Sequence, residues 1–298
     1  PFGTSAHVPD SLFPHPASSW VYTQAPHAIP PPDSHALAAP LGEGAPIRLR
    51  TLPALAPLHW LRAGGRDVQR AWGVALFYGL CFWGMAQVLA WVFRASPQYT
   101  MSIASGCLLV GPFLAMGLYD TSRRLERGQQ PDLGQSITCW DKQLGSMGML
   151  VFVLIVLELL WGRASLVVFA VFFNTGMPST TGVLQAVFNL QNWEFLLAYT
   201  AVGGIFAAVV FGSTVVALPL ILDRGTDALT AAITSFKVVS SQPGVLLLWA
   251  VLITVLVAAS LMVPWQLPLL VVGPWLGCAT WHAYRASVEP IDALPAAL

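Results

Sequence analysis

Few residues in this sequence have the chemistry to act, and their spacing decides what each could do. Glu158 sits inside the apolar run MGMLVFVLIVLELLW. Within a membrane such an acid carries protons or ions when neighbours relay them. No relay residues accompany it, and Arg163 follows shortly after. An intrachain Glu158–Arg163 pair, or snorkelling of Arg163 to the membrane edge, is the simpler reading. A second constellation comes from two copied stretches, GPFLAMGLYD (111–120) and GPWLGCATWH (273–282). They set Asp120 and His282 at the same offset after Gly111-Pro112 and Gly273-Pro274. There the two could pair, or His282 could hold a metal or haem. No second ligand is evident, and a lone histidine near a helix end ordinarily snorkels. Cys81, Cys107, Cys139 and Cys278 lack CxxC or CxxCH spacing, so no disulfide framework, zinc site or c-type haem attachment is expected. His7, His15, His27 and His35 are not spaced as ligands, and the sequence holds no Walker loop, GxSxG elbow, HExxH or paired-carboxylate motif. The expectation is a chain without catalytic residues or cofactor, surrounded by bound lipid.

The elements that would position these residues are membrane spans. The chain is 56% hydrophobic and 9% charged, with mean hydropathy +0.66; a soluble domain carries about 25% charged residues. Its 14 basic and 14 acidic residues cancel, which removes any case for nucleic acid held by phosphate charge. About 20 apolar residues are needed per crossing, and six stretches qualify: 71–93, 100–119, 147–172, 195–222, 245–263 and 267–284. Between the third and fourth, Val183–Leu190 could lie on the interface. All of the 14 basic residues except Arg94 and Arg163 fall on one side of these spans. The positive-inside rule then places both termini in the cytoplasm.

Residues 1–53 are proline-rich and follow no helical or strand period, so they read as an extended cytoplasmic segment. No secretory signal is expected there, because the first long apolar run starts only near Ala71. Phe2, Phe13, Trp20 and Tyr22 are its candidate anchors on a partner. Residues 54–285 form the membrane domain and 286–298 a tail.

The spans repeat. LGQSITCW (133–140) aligns with LTAAITSF (229–236), after the turns ERG (126–128) and DRG (223–225). The unit is a cytoplasmic amphipathic helix, an outgoing span and a returning span with a proline, present three times as helical hairpins. Leu133, Ile137 and Trp140, like Leu229, Ile233 and Phe236, share one helix face. Such a face lies on the membrane surface or docks against the spans. Pro112 and Pro274 are expected to kink their helices, bringing Tyr119 and Trp281 to the interface. Asp120 would be tethered by Arg123 or Arg124, while Arg123 and Arg127 face lipid phosphates or an acidic partner. Thr200, Gly204, Ala208 and Gly212 recur every four residues, a spacing that lets helices approach closely in lipid. Packing within the chain is preferred there over a subunit contact.

GPFLAMGLYDTSRRLERG, VVALPLILDRGTDALTAAITSFKVV, LLLWAVLI and GPWLGCATWHAYR together resemble the bacterial integral membrane proteins grouped as domain of unknown function 2189, over about residues 58–285. The resemblance implies six spans in a bacterial inner membrane and carries no catalytic residues. The functional expectation is an accessory subunit or assembly partner of a larger inner-membrane complex, a respiratory one first, in contact with other membrane subunits and lipid. A transporter or channel for a small, weakly polar solute is the alternative.

Overall fold

The computed structural model describes residues 49–96, 99–173 and 192–289. The head aromatics Phe2, Phe13, Trp20 and Tyr22, the Val183–Leu190 stretch and residues 290–298 lie outside them. The helices are α1 (Ala56–Arg70), α2 (Trp72–Ala95), α3 (Thr100–Glu126), the short α4 (Leu133–Ile137), α5 (Leu144–Phe172), α6 (Trp193–Thr214), α7 (Ala217–Arg224), α8 (Ala228–Ser241), α9 (Pro243–Met262) and α10 (Leu269–Ser287). Among the described residues, extended pairing is limited to one antiparallel bridge, Leu49 to Val288. Arg50 donates its N–H to the Ser287 carbonyl at 3.0 Å, so this domain's chain enters and leaves at one place.

Among the described residues, four stretches are long and apolar enough to cross a membrane: Trp72–Ala95, Leu133–Phe172, Trp193–Arg224 and Pro243–Met262. Their outward surfaces expose Trp91, Phe152, Val167, Leu197, Ile205, Leu247 and Val255. Water penalises that much contiguous apolar surface; lipid accepts it, and a helix satisfies its own backbone there. The helices α3 and α10 stand where the second and sixth spans were expected but are not among these four. The end of α3 carries Asp120, Arg123, Arg124 and Glu126. Packed against α1, α2, α3 and α9, α10 bears His282 and Arg285 and is shielded by its neighbours, so it has no need to be apolar all round.

Both α3 and α10 run through Pro112 and Pro274 as single helices. A break falls inside the expected 195–222 span, where α6 ends at Thr214 and α7 begins at Ala217. Pro219 lacks a donor, and its ring crowds the carbonyl four residues back, at Val215. At the break, Val216 donates its N–H to Ser235 Oγ on α8 at 3.1 Å, which keeps that donor satisfied.

The two charged turns share a local design. Gly128 (φ +69°) and Gly225 (φ +63°) take the left-handed conformation that side-chain-bearing residues resist. Asp132 then caps α4 by accepting from the Gln135 N–H at 2.8 Å, and Asp227 caps α8 by accepting from the Thr230 N–H at 2.9 Å. Each cap contributes about 1 kcal/mol. The Thr230 N–H also holds the Asp227 carboxyl below its ordinary pKa. Beyond the caps the two segments differ. The first, α4, stops at Ile137 and passes through a 3-10 turn (Asp141–Gln143) into α5, whereas α8 continues to Ser241. Ala228, Ala231, Thr234 and Ser235 of α8 turn inward, and Leu229, Ile233 and Phe236 stay 62%, 46% and 40% exposed. The bulky face therefore points out, as a helix on a membrane surface requires, and only Phe236 also reaches inward, over Gly212.

The core lies at the end of the bundle where α3, α7 and α10 finish. Trp60 meets Trp249 edge-on at 5.6 Å, beside Met116, Tyr119, Leu220, Leu246, Trp281 and Tyr284. Tyr119 and Trp281 are 5% and 1% exposed, so neither reaches the interface as expected. Their rings fill the space between helices that converge there. Missing side chains permit that convergence: a Cβ on Gly64 would lie 2.6 Å from the Ala279 backbone nitrogen, and one on Gly79 would run into the Leu270 carbonyl.

Candidate functional site

One helical turn assembles the centre of the polar cluster. Arg123 and Arg124 follow Asp120 by three and four residues, the spacings that meet on a helix surface. Asp120 is fully buried. Arg123 Nη2 donates to its Oδ1 at 2.5 Å and Arg124 Nε to its Oδ2 at 2.6 Å. Arg123 also donates through Nη1 to the Leu222 carbonyl of α7 at 3.1 Å. The expected tether of Asp120 is present, made by both arginines.

Around it, pairs between helices close the same end of the bundle. Glu126, at the end of α3, accepts from Arg285 Nη2 at 2.8 Å and Nε at 3.0 Å, and from Trp281 Nε1 at 3.1 Å. Asp223, in α7, accepts from the Tyr284 hydroxyl at 2.7 Å. It also lies 3.9 Å from both Arg127 and Arg285. His282 Nε2 meets Asp67 Oδ2 of α1 at 2.7 Å. Arg224 reaches the Glu289 carbonyl. The helices α1, α3, α7 and α10 are thus clamped together by these pairs, with Arg224 Nε left buried without a partner among the described residues.

Asp120 and His282 do not pair. The arginines saturate Asp120 within α3, leaving His282 to the carboxylate that α1 brings alongside. Arg123 turns inward to Leu222 rather than outward to lipid phosphates; Arg127, 58% exposed at its side chain, keeps the outward position. Asp67, Glu126, Asp223, Tyr284 and Arg285 escaped the sequence reading. Glu126 and Asp223 are the acids of the ERG and DRG turns, so the turn repeat itself was their signal. An acid in α1 beside Gly64 and Gly65 was the signal for Asp67.

A polar cleft of about 480 Å³ opens beside this centre, lined by Asp120, Arg123, Arg124, Gln135, Thr138, Cys139, Asp141, Lys142, Gln143 and Leu222. It is built to hold a polar group, but both of its guanidinium groups are already bound to Asp120. Among the described residues, no group of three His, Cys, Asp or Glu side chains gathers to hold a metal.

The remaining candidates lie at the level of the spans. Glu158 borders a groove of about 340 Å³ between α5 and α6, lined by Leu154, Leu157, Trp161, Gly203, Phe206, Ala207 and Val210. Its Oε2 is buried and has no hydrogen-bond partner. Arg163 is exposed on α5, and the expected Glu158–Arg163 pair is not formed. The reason is helical: five residues at about 100° each set the two side chains about 140° apart around the helix. Of the small-residue stripe, Thr200, Gly204 and Ala208 are exposed and only Gly212 is buried. Gly212 packs against Phe236, and nothing approaches Gly204. Packing within the chain, preferred from sequence, therefore accounts for Gly212 alone. Gly203, one position off the stripe, is the glycine that faces α5 at Trp161.

Residues 99–223 match the model of a family described as a predicted integral membrane protein, domain of unknown function 2189. The match covers less than half of the chain and runs from α3 to the end of α7, taking in Asp120, Glu126, Glu158 and Asp223. No curated protein and no solved structure matches.

Proposed function

We propose that the chain is a non-catalytic accessory subunit or assembly partner of a larger bacterial inner-membrane complex, a respiratory complex being the first to examine. One observation carries this reading: the charged side chains at the closed end of the bundle engage one another. Catalytic groups need a free lone pair or proton aimed at a vacant place. Here Asp120, Glu126, Asp223 and His282 spend theirs on joining α1, α3, α7 and α10. The cluster works as a fastening.

In this reading α3 and α10 also cross the bilayer, as partners of α2 and α9, giving six crossings in three hairpins. The matching charged turns and aspartate caps after α3 and α7 support the internal repeat. Arg123, Arg124, Arg127, Arg224 and Arg285 gather at one end, which supports a cytoplasmic position for that end and for both termini. The solute-transport alternative draws on the repeated hairpins with their Gly-Pro pairs and on Glu158, and the apolar lining of the Glu158 groove offers no row of polar groups to replace a solute's water.

The test is purification of the tagged full-length chain from native membranes in a mild detergent, with mass spectrometry of what accompanies it. Stoichiometric retention of one or more membrane proteins is expected. Migration as a lone 32.0 kDa species overturns the reading.

A further inference from the structure

The groove beside Glu158 has a feature the polar clamp does not explain. Every carboxylate of the clamp has donors, whereas Glu158 Oε2 is enclosed by protein and has none. The groove around it is otherwise apolar, with Leu154, Leu157 and Trp161 on α5 and Gly203, Phe206 and Ala207 on α6. Glu158 stands near the middle of α5, the Leu144–Phe172 helix, at a depth where water supplies no donor. An unsatisfied polar group in hydrocarbon costs several kcal/mol, so a missing donor is a statement about what the groove receives.

We propose that the α5–α6 groove seats one transmembrane helix of a partner subunit. That helix carries a basic or other strong hydrogen-bond-donating side chain at the depth of Glu158. The complementarity is chemical: an acceptor without a donor among the described residues of this chain, a donor without an acceptor on the other. The shape is consistent with a helix as occupant. Trp161 of this chain covers Gly203, but Ala207 contributes almost no side chain to the α6 wall, and one turn before it the exposed Gly204 has nothing within 4 Å of a built Cβ, so a partner backbone can come close there. The proposal rests on the accessory-subunit reading and names the chemistry of its contact.

Two variants of the full-length chain test it in native membranes. Glu158→Ala removes the acceptor and Ala207→Phe fills the groove from the opposite wall. Each is expected to lower partner retention in mild detergent about tenfold, the scale of one polar contact between membrane helices. Glu158→Ala should leave the melting temperature of the isolated chain unchanged or raised, because no described residue of this chain donates to its buried Oε2. Glu158→Gln, which keeps an acceptor, should recover part of the retention. Partners held equally by the wild type and both variants overturn the groove proposal and leave the accessory-subunit reading standing. A wild-type chain with no partner overturns both. A small amphiphile found bound to the wild type by native mass spectrometry and lost from Glu158→Ala, with protein partners unaffected, overturns the helix as occupant.

Discussion

At the scale of single residues the molecule separates polar groups that fasten helices from a carboxyl oxygen, Glu158 Oε2, that is enclosed without a donor among the described residues. Asp120 shows the first kind. It is wholly buried, and its two arginines are only 20% and 21% exposed at their side chains. Removing one partner of such a cluster leaves the others in a poorly solvated place, which costs about 3–5 kcal/mol. Asp120→Ala should therefore lower the melting temperature of the purified chain in detergent by many degrees. Arg127→Ala, at the exposed rim, should change it by no more than a degree or two, since a surface pair contributes about 0–1 kcal/mol. Equal effects of the two substitutions would mean that Asp120 is not the centre of the clamp. Its tether was legible in the sequence because three- and four-residue spacings on one helix need no knowledge of the fold. The His282–Asp67 and Arg285–Glu126 pairs were not legible. Each joins segments more than a hundred residues apart, and only the packing of α10 against α1 and α3 brings them together.

Among the elements, α10 holds the bundle together. It packs against α1, α2, α3 and α9, and glycines make the room. Gly79→Ala would drive a methyl group into the Leu270 carbonyl, a clash with backbone that no rotamer change relieves. We expect it to destabilise the chain by about 1–3 kcal/mol, as overpacking does. Gly84→Ala, which meets nothing within 4 Å on the same helix, should be neutral or slightly stabilising through helix propensity. Comparing the two by thermal melting separates close packing from propensity. A neutral Gly79→Ala would show that α2 and α10 do not approach as described. Element positions were largely readable from sequence, because long apolar runs declare themselves. The proline breaks were not. Pro112 and Pro274 lie within continuous helices, whereas the chain parts just before Pro219, where Ser235 of α8 is at hand to receive the Val216 N–H. Tyr119 and Trp281 misled for a related reason: an aromatic near a charged helix end suits an interface or a core equally well, and tertiary packing chose the core.

For the molecule as a whole, the pattern is a lipid-facing bundle closed at one end by the charged clamp and carrying a single enclosed, unsatisfied carboxyl between α5 and α6. The functional reading depends on where that closed end lies. Single-cysteine labelling in sealed inverted and right-side-out vesicles measures it, after Cys81, Cys107, Cys139 and Cys278 are replaced by alanine. Asp141→Cys reports the clamp end, beside the polar cleft. Gln266→Cys reports the turn between α9 and α10, where Gln87 and Trp83 bond to Trp265. Six crossings with a cytoplasmic clamp require Asp141→Cys to react with an impermeant maleimide only from the cytoplasmic side and Gln266→Cys only from the opposite side. Labelling of Asp141→Cys from the side opposite the cytoplasm would contradict the orientation of the clamp and the function built on it, and labelling of both positions from one side would contradict the crossings between them.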